Sequence, residues 1–189
     1  RGLGDVYKRQ EEDIVPVPTI THGEYQKLTD FLTQKKHPAL LAVQIAYYAG
    51  LRIGEVCGLT WQDINLDEQY LTVRRSMRYN GTRHKHEVGT TKRSKVRTVD
   101  FCDTLADILR KVKTEQHKNR FLYGELYHLN YCKTVKEKGR TYYEVYSLQR
   151  TQETPENDRE LSFVCLKEDG AFVSASAVGQ ICRKAKAEV

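Results

Sequence analysis

Apolar positions recur at helical spacing over residues 22–34, where Tyr25, Leu28, Phe31 and Leu32 fall on one face. Thr21 precedes the run and is placed to cap it. Pro38 opens a second predicted helix, "ALLAVQIAYYAG", which is mostly apolar and therefore belongs in a core, and Gly50 ends it. A short third helix is expected from Ile53 to Cys57. "LTWQDI" then reads as a turn in which Asp63 accepts from local backbone amides. Beyond it the period changes to two. "QYLTVRRSMRY" predicts a strand, Asn80-Gly81 a hairpin turn, "TRHKHEVGTT" a returning strand, "KRSK" a second turn and "VRTVDF" a third strand. Asp103 or Thr104 is placed to cap a helix carrying Leu105, Ile108, Leu109 and Val112 on one face. Residues 116–160 are polar and tyrosine-rich, and read as a helix, a turn at "KEKGRTYYEV" and a loop through Pro155. "LSFVCLKEDG" predicts a strand ending at Asp169-Gly170, and Ser174 or Ser176 caps a last helix, "AVGQICRKAKAEV". Together these elements predict an α+β fold, mostly helical, with a small three-stranded antiparallel sheet.

The chain has 189 residues, enough for one domain with a core of its own. An apolar share of 39% and a charged share of 30% suit a soluble globular protein, with no apolar run long enough for a bilayer and no secretory signal. Five widely spaced cysteines without a CxxC pair point away from a zinc site and a disulfide framework, so a reducing cytoplasm is the expected compartment. The first ten residues, "RGLGDVYKRQ", are patternless and read as an assembly scar, leaving residues 11–189 for the fold.

Charge changes the picture. Between Arg74 and Arg97 stand nine Lys/Arg and one acid, Glu87, so this segment carries +8 of a net +6 and the remainder sums to −2. An excess this local suggests a polyanion, nucleic acid first, although a solvated charged hairpin accounts for the charge equally well.

Residues 50–64 read G-L-R-x-G-E-x-x-x-L-x-W-x-D-I. Arg52 stands between Leu51 and Ile53, where a guanidinium is costly unless an anion offsets it. This pattern, after a buried helix and before a β region, closely resembles the first active-site box of the tyrosine recombinases, the phage-integrase family. The tyrosine-rich stretch and the ending "ICRKAKAEV" are similar to integrases of integrative and conjugative elements. The resemblance covers roughly residues 14–189.

The resemblance implies the DNA breaking–rejoining fold, double-stranded DNA as partner, no membrane, and a tetrameric synapse on DNA for the full-length protein. It implies cutting and rejoining through a phosphotyrosyl intermediate, with no cofactor, metal or ATP. By the same resemblance Arg52 is the first arginine, whose fork binds two nonbridging phosphate oxygens, and Glu55 supports it. Lys92 is the hairpin lysine that protonates the leaving 5′ oxygen, with Arg93 and Lys95 competing for that place. Arg74, Arg75, Arg78, Arg83, Lys85, Arg93, Lys95 and Arg97 are expected mostly to touch phosphates, at best half of them facing one partner. His84 and His86 are read as DNA-facing or solvated, not as metal ligands.

Family members continue with a second box, H-x-x-R, a G-H or G-W element and then the nucleophilic tyrosine. None follows "ICRKAKAEV". His117 and Arg120 spell H-x-x-R but come before "LSFVCL" and are read as a coincidence, and Tyr142 and Tyr143 are read as packing and hairpin residues. The expectation is therefore an incomplete catalytic domain, its N-terminal and middle part, which holds no nucleophile and cannot cut DNA alone. Rival readings are a type IB topoisomerase-like enzyme, a non-catalytic DNA-binding remnant or regulator, and a structural module with a charged surface.

Overall fold

A computed structural model describes residues 19–91, 95–153 and 156–188. Helix α1 (His22–Gln34) begins with a reciprocal cap: the Thr21 hydroxyl accepts from the Glu24 amide at 3.2 Å, and the Glu24 carboxylate accepts from the Thr21 amide at 2.8 Å. Its buried face carries Tyr25, Phe31 and Leu32, as the spacing predicts. Helix α2 (Ala39–Ala49) is buried along most of its length and ends at Gly50, whose φ of +63° is the left-handed turn that favours glycine. Helix α3 (Ile53–Gly58) follows at once.

Two glycines one turn apart on α3 let it lie against the strand β3 (Arg75–Asn80). A Cβ at Gly54 would sit 2.6 Å from Ser76 Oγ and 2.8 Å from the Met77 carbonyl oxygen. At Gly58 it would meet the Arg75 backbone at 3.2 Å. The serine can turn away but the carbonyl cannot. Gly54→Ala is therefore expected to destabilise the fold by about 1–3 kcal/mol, read as a lower urea midpoint. An unchanged midpoint would contradict this packing.

Two antiparallel sheets follow, where the periodicity predicted one of three strands. The first is ordered β1-β2-β5, from β1 (Ile64–Asn65), β2 (Tyr70–Val73) and β5 (Arg97–Asp100). The second is ordered β3-β4-β7-β6-β8, with β4 (Lys85–Thr90), β6 (His128–Glu137), β7 (Arg140–Gln149) and β8 (Arg159–Glu160). The expected single strand "QYLTVRRSMRY" thus divides at Arg74, its first half pairing β5 and its second half β4. Alternation holds through the break, with Leu71, Val73 and Met77 buried. Period two says which face is inside but not which strand lies alongside. The hairpin at Asn80-Gly81 forms, as a four-residue loop closed by Asn80↔Lys85 with Asn80 Oδ1 accepting from the Thr82 and Arg83 amides at 3.2 Å. The expected "KRSK" turn falls largely on residues 92–94, outside the described residues.

The larger difference lies in the tyrosine-rich stretch. The turn at "KEKGRTYYEV" is present, but it joins two ten-residue strands, β6 and β7. Lys138 and Gly139 take φ of +49° and +72° between the paired residues Glu137 and Arg140, the two-residue loop whose twist suits a hairpin. Tyr142 and Tyr143 are hairpin residues of β7. The helix α4 (Asp103–Tyr123) starts from Cys102 with no side-chain cap. Asp103 instead occupies the first turn, where the helix dipole favours it, and accepts from Gln69 Nε2 at 2.8 Å. "LSFVCL" forms no strand, only the isolated bridges Thr60↔Phe163 and Leu166↔Phe172, yet it buries Leu161, Phe163, Val164 and Cys165. Ser174, rather than Ser176, accepts from the Ala177 amide to cap α5 (Ala175–Glu188).

Candidate functional site

Gly50 turns the chain at the end of α2 so that Arg52 becomes the residue before the first turn of α3, with φ −68° and ψ 145°. Leu51 is buried and Ile53 half-buried, but the Arg52 side chain is 69% exposed. The guanidinium expected inside a packed core stands at its surface. What is buried is Glu55, 3% exposed by its side chain. Its carboxylate accepts from the Arg52 amide at 3.1 Å and, loosely, from Arg52 Nη1 at 3.4 Å.

The principal partner of Glu55 is a residue forty-two positions on. Arg97 donates from Nη1 to Oε1 at 3.0 Å and from Nη2 to Oε2 at 2.7 Å, a two-pronged guanidinium–carboxylate pair. These bonds hold the Glu55 carboxyl below its ordinary 4.5 against the opposing effect of burial, with the Arg52 amide and both positive charges adding to them. Because the folded value is lowered, the contribution of Glu55 to stability is complete above about pH 4.5 and is lost as pH falls through the lowered value. Glu55→Gln is therefore expected to be less stable than wild type at neutral pH, with the difference shrinking on acidification. Urea midpoints at several pH values check this, and a difference independent of pH would contradict it.

A second buried acid repeats the arrangement. Asp63 accepts from the Thr60 amide at 3.0 Å, as the turn reading expects, and also from the Thr60 hydroxyl at 2.7 Å and Arg75 Nη1 at 2.7 Å. Arg74 Nε approaches it at 3.2 Å. Arg75 also reaches Thr60 Oγ1 at 3.0 Å, and its side chain is only 19% exposed. Its expected phosphate contact gives way to an internal one.

Around the β3–β4 hairpin the acids come from outside the basic segment as well as from within it. Glu87, buried, takes Arg78 at 3.1 Å, Arg83 at 3.1 Å and Asn80 Nδ2 at 2.9 Å. Arg83 also meets Glu144 at 2.5 Å and Glu137 at 3.3 Å, with its guanidinium 4.1 Å over the Tyr142 ring. So Arg83, like Arg75, is half-buried and engaged by acids of the chain itself. Arg74, Arg78, Lys85 and Lys95 keep exposed side chains or surfaces, while Lys92 and Arg93 lie outside the described residues.

His84 is exposed and shares a 3.3 Å contact with the Tyr79 hydroxyl. His86, expected to face DNA or solvent, instead packs its ring between Tyr79 and Phe172; among the described residues its buried Nδ1 has no hydrogen-bond partner, and burial lowers its pKa. His117 and Arg120 are exposed on α4, where they line a cavity of about 140 Å³ with Trp61, His128 and Glu160. Among the tyrosines, Tyr25 stacks on Tyr47 at 3.7 Å, and Tyr146 donates to Asp158. Burial raises the pKa of both phenols, with hydrogen bonding to Tyr48 and Asp158 respectively reinforcing it. Burial pushes the Cys57 thiol up to about 12, so this cysteine packs as a small apolar group. Among the described residues no cluster of His, Cys, Asp and Glu could hold a metal, and no helix is long and apolar enough to cross a membrane.

Residues 18–130 match the family model described as the phage integrase family. Tyrosine recombinase XerA from Pyrococcus furiosus is 34% identical over 76 residues, spanning 39% of this chain and 27% of that protein. A tyrosine recombinase XerC-like protein from Caldanaerobacter subterraneus subsp. tengcongensis is 26% identical over 127 residues, 62% of this chain and 32% of that protein. The Tn1549 transposon integrase in complex with transposon right end DNA superposes with a TM-score of 0.59 at 18% identity, covering 100% of this chain and 49% of that one. The chain thus spans less than a third of the two curated relatives and about half of the solved integrase.

Proposed function

Since the chain belongs to the phage integrase family, we propose that it is part of the catalytic domain of a site-specific tyrosine recombinase that moves a mobile element. The observation that carries this reading is the division of labour at Glu55. One guanidinium, Arg97, neutralises the buried carboxylate, and a second, Arg52, is left at the surface with one loose contact. An exposed, positioned guanidinium suits an arriving phosphodiester. Negative charge builds on the nonbridging oxygens during transfer, and a guanidinium fork can bind two of them.

The reaction is an exchange of one phosphodiester for another. A tyrosine hydroxyl gives up its proton to solvent as its oxygen bonds to phosphorus, the bond to the 5′ oxygen breaks, and the leaving oxygen takes a proton from Lys92, which solvent replaces. The phosphotyrosyl link keeps the energy of the broken bond, so the 5′ hydroxyl of a partner strand can reverse the step. Arg74, Arg78, Lys95 and Arg93 position the duplex through phosphates. No tyrosine of this chain is assigned as nucleophile: residues 11–189 are read as the N-terminal and middle part of the domain. A tetramer on DNA, in the cytoplasm, completes the reading.

The test is a covalent trap. The recombinase polypeptide carrying this chain, incubated with nicked DNA from the ends of its own element, is expected to give a detergent-resistant protein–DNA adduct. Relaxation of any supercoiled plasmid without preference for those ends would overturn the recombinase reading in favour of a topoisomerase.

A further inference from the structure

We infer that Arg97 is a positioning residue that keeps Arg52 free: it neutralises Glu55 so that the buried carboxylate does not draw the phosphate-binding guanidinium onto itself. This rests on the reading that Arg52 meets the scissile phosphate. A sequence reading places Arg97 among the phosphate contacts, and the geometry opposes that. To turn its paired edge to a phosphate it would have to leave a carboxylate that is 3% exposed and bonded at 2.7 and 3.0 Å.

The two arginines on Glu55 are unequal. Arg97 is held by two short bonds and is 38% exposed, whereas Arg52 makes one side-chain contact at 3.4 Å and is 69% exposed. Glu55 also fixes the Arg52 backbone, by accepting from its amide at 3.1 Å. That bond sets where the Arg52 side chain starts. With Arg97 in place, Arg52 can swing to a phosphate and leave Glu55 still paired. Without Arg97, the remaining cation at the carboxylate, among the described residues, is Arg52. A phosphate would then compete with a buried anion for the same fork.

This arrangement predicts a reversal that simple loss of structure does not. In the recombinase, Arg97→Ala is expected to slow single-turnover cleavage at saturating DNA by at least tenfold. Adding Glu55→Gln to that variant removes the competing charge and is expected to recover a large part of the rate. The slope of DNA affinity against salt should fall by at most about one in Arg97→Ala, through the captured Arg52, and recover in the double variant, whereas loss of a phosphate contact made by Arg97 itself would persist there. Arg97→Lys, which keeps the charge, should cleave within a few-fold of wild type and serves if the alanine variant does not fold.

The exchange of the Arg52 side-chain Nε–H with water, followed by NMR, reads the same capture without cleavage. It should slow several-fold in Arg97→Ala and return toward the wild-type rate in the double variant. A wild type that never cleaves contradicts the recombinase reading, and the exchange rates then decide the Arg97 assignment on their own. A salt slope that stays reduced by about one in the double variant, or an Arg52 exchange rate indifferent to Arg97, would overturn it.

Discussion

Arg52→Ala is expected to slow single-turnover DNA cleavage by about a hundred- to a thousand-fold, the usual cost of removing one preorganised donor from a developing oxyanion. Affinity for DNA should fall far less. Arg52 is one cation among several exposed ones, including Arg74, Arg78 and Lys95, and each phosphate contact adds only a share of the binding. Arg52→Lys should restore charge without the planar fork and so recover little of the rate. Quench-flow cleavage at saturating DNA, beside a binding isotherm, separates the two effects. An affinity loss with the saturated rate intact would make Arg52 an ordinary backbone contact. The fold itself should survive either change, because Arg52 is exposed and the Glu55 carboxylate keeps its two bonds to Arg97.

The largest expected loss of stability belongs to Asp63→Ala, at about 3–5 kcal/mol, the range for breaking a buried ion pair from one side. Three donors lose a bond at once: the buried Thr60 amide, the Thr60 hydroxyl and the Arg75 guanidinium, which keeps only neutral acceptors. Arg75 has little solvent to turn to, being 19% exposed. Arg74, half-exposed, can rehydrate and should matter less. Asp63→Asn keeps an oxygen for Thr60 but gives up the charge facing Arg75, so its loss should be smaller. Chemical denaturation of the three proteins checks the order, and a loss below about 1 kcal/mol for Asp63→Ala would contradict the buried-pair account. The same geometry predicts that removing Arg75 leaves the salt slope of DNA binding unchanged.

Much of this was legible locally. Helical spacing around Tyr25, Phe31 and Leu32 and the stop at Gly50 appear in the structure where they were expected. The turn at Asp63 and the hairpin at Asn80-Gly81 were equally readable, because each is set by residues within a few positions. What was not legible is non-local. Alternation through Arg74 cannot tell that the strand changes sheets. The β6–β7 hairpin shows only a weak hydrophobic alternation, since much of it is polar and solvated, and its Lys138-Gly139 turn was the one clear mark.

The site was legible as a box and not as a network. The pattern around Arg52 points to a phosphate clamp, but nothing in its spacing connects Glu55 to Arg97 or Asp63 to Arg75. A glutamate or aspartate bound for burial needs a cation, and sequence does not say which. Counting charge therefore overstated the basic surface. Arg75, Arg83 and Arg97 are engaged by Asp63, Glu55, Glu87, Glu137 and Glu144, most of them outside the basic segment.

The proposed role of Arg52 is to stabilise charge on the nonbridging oxygens of the scissile phosphate. The most direct measurement compares wild type and Arg52→Ala on two DNAs, one natural and one with a methylphosphonate at the scissile position, where a methyl group replaces one charged oxygen. Removing the charge removes the need for the clamp. A large gap in cleavage rate is expected on the phosphate, narrowing sharply on the methylphosphonate; a gap of equal size on both would rule out this role for Arg52.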